Sequence, residues 1–546
     1  MGDIDTAYYR GRFEYVEFDC EIPKDDLVRF VVEVIMSIIS IFQLENEVIK
    51  CNTAGRECYS LSKMARLVYY AYARGFTSPE VISDFAKNHK FFKYAANGIE
   101  PSDDAIAMFI NKWGSFFDYA LKFMVQMAFV ANLTEFESVS VDSTHKKAAN
   151  NKFNVLHEDD IEVLIKYYSG LAVSDEELAN LRYPAKNFLK RTDISNRRKL
   201  NNLNKVLDKL HETDSNTMPI HDIESIHITN KKKIADLGYN IQAAVDWRTK
   251  MMMAIDVTRK ATDHNQFQNI ILKAISYMGE IPNVSCADAG YNTRRTLEFI
   301  EEIGLNALID NNRSAKLRNG HKNKNKFHKD NMGYDNVEDA FICFNEEYLY
   351  YQGTNIRWDD KKGDYEIIRK YFNKEACENC KYVNECFKTK YRIVEYSGGL
   401  LALNMENKMK EYENSLEYIK RFSTVEPIMG VLKRFFHIDE MLTVKLVTLQ
   451  NRLTLCAGAF NLKRLYKELM KIVPKNGKNF MEMIKDICSK AKIRMFINEI
   501  KSFHFEKKIL QLPMTCQSVV EKQTMEYLNK HQLFSPVNLD TYGRLL

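Results

Sequence analysis

The sequence predicts an α/β fold: a mixed sheet with helical insertions, an all-α segment before it and a helical tail behind it. Three observations predict this. Ser138 to Asp142 and Tyr239 to Asp246 alternate apolar and polar residues with the period of a strand, and the chain returns through the apolar run Met251 to Val257 after a turn, as a hairpin does. Phe267, Ile270, Ile271, Ala274, Ile275 and Met278 then recur on one face of a helix that stops at Gly279. Finally, Asn283-Val-Ser-Cys-Ala-Asp288-Ala-Gly-Tyr291 reads as a strand that ends in a carboxylate and turns on a glycine. The carboxyl ends of strands are where open α/β sheets bind ligands and do chemistry.

Composition narrows the class. At 546 residues, 45% hydrophobic and 28% charged, the chain has the make-up of a globular protein of roughly two to four domains. A formal charge of +5 permits a polyanionic partner without demanding one. Basic residues cluster at Arg313, Lys316, Arg318, Lys322, Lys324, Lys326 and Lys329, and again at Arg197-Arg198-Lys199; each cluster alone reads as a solvated loop. The N-terminus lacks a basic stretch followed by an apolar one. The most apolar run, Val34 to Leu44, is too short to span a bilayer and reads as a core helix, which argues against a membrane protein. Eleven cysteines without a leader point to reduced thiols and a cytoplasmic setting.

Each element follows from local chemistry. Residues 1–133 read as all helix: one helix to Leu44, one from Leu61 to Arg74 stopped by Gly75, and one opened by Ser78 as N-cap with Pro79 in the first turn. The short helices resemble a helix-turn-helix, so this segment is the expected DNA-binding domain. The α/β unit covers 134–470. Its first strand ends at Asp142 and is followed by the cationic His145-Lys146-Lys147. Residues 151–233 and 311–410 interrupt the unit as insertions. Between them come a hairpin turning at Trp247 to Lys250 and a helix capped by Asp263. The Asp288 strand, a helix capped by Asn292 or Thr293, and a short strand Ala307-Leu-Ile309 complete the order. Of the nearby acids, Asp246 and Asp256 sit at the hairpin. Residues 471–546 form a helical extension.

That order of elements, with carboxylates ending the first and fourth strands, is the order of a ribonuclease H-like fold. A third acid would be expected on a later helix, and Thr424-Val-Glu426-Pro427 supplies one at a helix start, with Lys433 on the same face. In the second insertion, the spacing of Cys377, Cys380 and Cys386 suits thiolate coordination of Zn²⁺ with Cys343 as a fourth ligand; reduced loop thiols are the other reading.

On Asp142, Asp288 and Glu426 together, the sequence resembles the DDE transposases of bacterial insertion sequences, in the branch with a helical N-terminal domain. Tyr72-Ala-Arg-Gly-Phe76, Phe91-Phe-Lys-Tyr94, Gly238-Tyr-Asn-Ile-Gln242, Ala287-Asp-Ala-Gly-Tyr291 and Val425-Glu-Pro427 carry the likeness. The family's signature around its last acid is met by Tyr418, Arg421, Glu426 and Lys433, except that four residues separate Arg421 from Glu426. The resemblance implies that Asp142, Asp288 and Glu426 hold Mg²⁺ or Mn²⁺. Tyr418, Arg421, Lys433, Lys146 and Lys147 would contact DNA. It also implies double-stranded transposon ends and target DNA as partners, a homodimer in the DNA complex, and a place at the bacterial nucleoid. Two other readings stay open: a metal-dependent nuclease without strand transfer, and a DNA-binding relic.

Overall fold

The computed structural model describes residues 19–45, 59–149, 154–212, 216–229, 235–311, 323–359, 364–473 and 479–509. Its strands are β1 (Ser138–Lys147), β2 (Val155–His157), β3 (Thr217–Pro219), β4 (Ile226–Thr229), β5 (Ala235–Asp246), β6 (Met252–Thr258), β7 (Val284–Ala287), β8 (Ala307–Ile309), β9 (Gly333–Asp335), β10 (Ala340–Ile342), β11 (Tyr348–Asp359), β12 (Asp364–Phe372) and β13 (Val394–Ser397). The fold is mixed α/β with a helical N-terminal region.

The main sheet runs β4-β5-β1-β7-β8, with β6 also paired to β5. β5 is antiparallel to both β1 and β6, as tight hairpin chemistry allows. β1, β7 and β8 are mutually parallel. The parallel β7 and β8 require a crossover, and helix Arg294–Ile303 supplies it. Thr293 caps that helix, accepting the Thr296 N–H at 3.3 Å, and Gly304 ends it at a φ of +66°.

β1 does not end at Asp142. It continues to Lys147 because long β5 goes on pairing with it, from Asp142 opposite Ala243 to Lys147 opposite Gly238. His145, Lys146 and Lys147 are therefore strand residues and not a following loop. Asp263 is not a helix cap: the helix begins at Phe267, and Gln266 holds the preceding position.

The first insertion is helical, with its own small core of Leu156, Ile161, Leu164, Phe188, Leu203, Val206 and Leu210 beside the antiparallel pair β2 and β3. Its last part departs from the expectation, since β4 joins the main sheet beside β5. The second insertion is built on strands, with helices at Lys374–Glu378, Val383–Cys386 and Gly399–Lys410. Its strands form a five-stranded antiparallel sheet, β13-β12-β11-β10-β9, because Tyr348 to Trp358 and Tyr365 to Phe372 are rich in aromatic and β-branched residues that favour a pleated surface.

One continuous apolar core joins the N-terminal helices to the main sheet. Val31, Ile35, Leu67 and Phe116 belong to it together with Val141, Ile255, Leu453 and Ile484. Helix Leu446–Ile472 is the central post, packed against helices Gly114–Val130 and Leu61–Arg74 and against β6. Val34 to Phe42 line this core, and no helix among the described residues is long and apolar enough to cross a membrane.

Candidate active site

The site is set by register. β1 and β7 run parallel, and their last paired positions are Ser140 and Cys286. Two residues further along each segment stand Asp142 and Asp288, on the same face by the two-residue period of a strand. Asp288 leaves the sheet at once and caps the turn Ala289–Tyr291, accepting the Gly290 N–H at 2.8 Å. Space is tight at Gly290: a Cβ there would stand 3.0 Å from the Asp288 Oδ1 and 3.5 Å from Asp263, so the carboxylate would have to shift by a few tenths of an ångström.

Asp142 is half-buried and accepts two hydrogen bonds, from Arg421 Nη1 at 3.0 Å and from the Ser143 N–H at 2.8 Å. Burial raises its carboxyl to about 6; Arg421 and the Ser143 N–H oppose the rise, while Asp288 and Asp263 add to it. The three aspartates thus share one electrostatic neighbourhood.

Asp263 is the residue that sequence reasoning set aside. Its Oδ1 accepts from Asn240 Nδ2 at 2.9 Å and from Gln242 Nε2 at 2.8 Å. Gln242 Oε1 in turn accepts from the hydroxyl of fully buried Tyr291. A polar network therefore underlies both strand-end acids. The available signal was the pair Asn240 and Gln242 on one face of a central strand, two buried amides that need a polar partner. Asp263→Ala would take the acceptor from both amide N–H groups and is expected to cost about 1–3 kcal/mol in a denaturant titration. Asp263→Asn, which keeps an acceptor oxygen, should lose less.

Glu426 opens helix Glu426–Arg434, which packs against β1, but its side chain is exposed. The structure brings Asp142 and Asp288 together and does not join Glu426 to them: among the described residues, no group of three or more His, Cys, Asp or Glu stands ready to hold a metal ion. The partner beside Asp142 is instead Arg421. Its guanidinium is buried over the rings of Phe422 at 4.8 Å and Tyr418 at 5.6 Å. Arg421 is thus the counter-charge of Asp142, in place of the phosphate contact the resemblance implied, and buried Tyr418 supports it.

The three lysines divide. Lys146 is buried, its amine donating to the carbonyls of Lys147 and Met441, each at 2.9 Å. Desolvation lowers its pKa to about 8. It has no face toward DNA, which corrects the expectation. Lys147 is exposed and pairs with Asp236 at 2.9 Å, a surface contact worth little that leaves it available. Lys433 stands 4.0 Å from Asp439, near enough to His145 to contribute to lowering its pKa, mainly a burial effect. We expect Lys146→Met to leave the salt dependence of DNA affinity unchanged, whereas Lys147→Ala or Lys433→Ala should reduce its slope by about one unit each.

In the second insertion, Cys377 is buried and Cys343, Cys380 and Cys386 are half-buried, all as free thiols. Of the basic run, Arg313, Lys316, Arg318 and Lys322 lie outside the described residues. Lys326 packs over the ring of Phe327 at 4.8 Å, and Lys329 donates to the Glu395 carbonyl at 2.8 Å.

Comparison with known proteins adds one finding. Residues 342–466 match the family model of the transposase DDE domain. That stretch holds Tyr418, Arg421, Glu426 and Lys433 and all four of these cysteines, and it lies C-terminal to Asp142 and Asp288. No curated protein matches the chain. Over residues 342–466, which contain the acid and the cation expected of the last signature, the chain is similar to the transposase DDE domain.

Proposed function

We propose that this protein cuts the ends of a bacterial insertion sequence and joins them to target DNA, by hydrolysis and then transesterification at phosphodiesters. The observation that carries the reading is the register that sets Asp142 beside Asp288. The order β6-β5-β1-β7-β8, with β5 running against the others, supports a ribonuclease H-like fold for the unit.

The donor set fits Mg²⁺ or Mn²⁺. These ions take carboxylate oxygens and commonly bind through one or two of them together with substrate phosphates. Asp142 and Asp288 are adjacent oxygen donors, and the field of Asp263 adds negative charge that a divalent cation would relieve. Asp142 and Asp288 would hold the ions, and the exposed Glu426 would have to turn toward them to join; when bound, the ions polarise the phosphoryl oxygen and lower the pKa of the attacking hydroxyl or water.

The chain's own residues do the rest. Arg421 fixes one oxygen of Asp142, and the Ser143 N–H fixes the other. Tyr291, Gln242 and Asp263 fix the floor of the site. Lys433 and Lys147 would bind DNA phosphates, a role that needs only exposed positive charge. Residues 1–133 would bind the element's ends, in a homodimer on DNA. Their helices share the core of the sheet, so this role is better tested by surface substitutions than by truncation.

The deciding experiment incubates the full chain with duplexes carrying the element's terminal repeats, target plasmid and Mg²⁺. Cut ends and joined products are expected. Cut ends alone would make it a nuclease, and specific binding with neither product would make it a relic.

A further inference from the structure

The second insertion gathers its cysteines from separate elements. Cys343 follows β10 in the turn to β11, where its N–H donates to the Glu347 carbonyl at 2.9 Å. Cys377 lies in helix Lys374–Glu378, whose N-cap Asn373 also donates to the Tyr348 carbonyl at 3.0 Å. That bond ties the start of the cysteine-bearing segment to the strand beside Cys343. Cys380 follows in a turn closed by its N–H on the Cys377 carbonyl at 3.3 Å, and Cys386 ends the short helix Val383–Cys386.

Aromatic rings clamp these turns together. Phe344, next to Cys343, meets Tyr382, between Cys380 and Cys386, with ring centroids 5.3 Å apart. Phe327 meets both, at 5.3 Å and 5.6 Å. The amine of Lys326 stands over all three rings at 4.8 to 5.1 Å and pairs with Glu385 at 3.2 Å. Cys343, Cys377 and Cys380 accordingly lie within electrostatic reach of Cys386.

Burial raises the thiol pKa of Cys377 and Cys386, and the Arg392 charge opposes that rise at both, so a bound cation would have to draw them into thiolates. The Tyr382 N–H donates to the Cys380 Sγ at 3.5 Å, and the Arg392 backbone N–H bonds Cys377. The Arg392 guanidinium anchors on the Phe327 carbonyl at 3.2 Å, while its buried Nε has no hydrogen-bond partner. Arg392 acts on Cys377 and Cys386, and its buried donor without an acceptor suits an anionic site beside them. Four thiols would bind as thiolates and release their protons, and the resulting site would carry net negative charge for Arg392 to face.

We infer that Cys343, Cys377, Cys380 and Cys386 form a structural zinc site that fastens the helical turns after β12 to the β10–β11 turn. Among the described residues no group of three or more His, Cys, Asp or Glu is poised to hold a metal, so the thiols would have to close on the ion as it binds. The site is separate from the strand-end acids, and its test does not depend on DNA chemistry.

Full-length protein purified without chelator should contain about one zinc per chain by elemental analysis. Cobalt substitution should give thiolate-to-metal charge-transfer absorption. Alkylation of the four thiols should be slow until a chelator is added, while exposed Cys20 reacts throughout. Cys386→Ser should lose the zinc while circular dichroism retains the helical signal. If that variant fails to fold, the wild-type alkylation pattern still decides. Absence of zinc even after reconstitution with zinc chloride, or alkylation of the four as fast as Cys20, would overturn the site.

Discussion

Replacing Asp288 with alanine is expected to lower end cleavage and strand transfer by about a thousandfold or more, because a catalytic metal supplies several kcal/mol and each 1.36 kcal/mol is a factor of ten. Binding of the element's ends should change little, since the loss is of transition-state stabilisation. Asp288 also caps the turn Ala289–Tyr291, so alanine carries a structural cost of about 1 kcal/mol in addition. Asp288→Asn keeps an acceptor for the Gly290 N–H and removes the charge, and it should show the same loss of activity with near-normal stability. Glu426→Ala is the sharper companion. Its side chain is exposed, so stability should not change, yet the proposed role requires the same fall in activity. Cleavage assays that found Glu426→Ala fully active would remove it from the mechanism, and full activity in Asp288→Asn would remove the mechanism itself.

The second large effect is on stability against pH. Asp142 holds its proton in the folded protein up to about 6, against an ordinary value of 3.8, chiefly because it is buried. Between those values the folded state binds more protons than the unfolded one, so stability falls as pH rises. The contribution is fully present below about pH 4 and lost above about pH 6, and amounts to about 3 kcal/mol at most. Urea titrations across that window should show the decline, and Asp142→Asn should flatten it. Divalent metal should act in the opposite sense by binding the ionised form. A saturating concentration of about a hundred times Kd would add about 2.7 kcal/mol above pH 6 and much less at pH 4.5, where Asp142 is protonated. A decline of the same size in Asp142→Asn would assign the pH dependence to other groups.

Much of this site was legible in the chain. Asp288 before Gly290 marks a strand leaving the sheet, because the carboxylate caps the turn that follows by accepting the Gly290 N–H. Thr293, Gly304, Gly75 and Pro79 mark helix ends through cap and φ chemistry that acts within a few residues. The hairpin of β5 and β6 is likewise written in alternation and turn residues.

What the sequence by itself determined, then, was the order of elements, the strand carrying each aspartate, and the charged and thiol residues available. Those follow from local propensity and period. The tertiary structure decided which of them meet. Only pairing across distant strands sets Asp142 beside Asp288, extends β1 past Asp142, and lays β4 on the main sheet. Burial, which depends on every element packed around a side chain, took Lys146 out of reach of DNA and turned Arg421 toward Asp142. It also made Asp263 the acceptor for two amides rather than a helix cap. A lysine or an aspartate looks the same in the chain whether its partner is water, a carbonyl or another charge, because that partner is supplied by another element, some twenty positions away for Asp263 and nearly three hundred for Lys146 and Asp142.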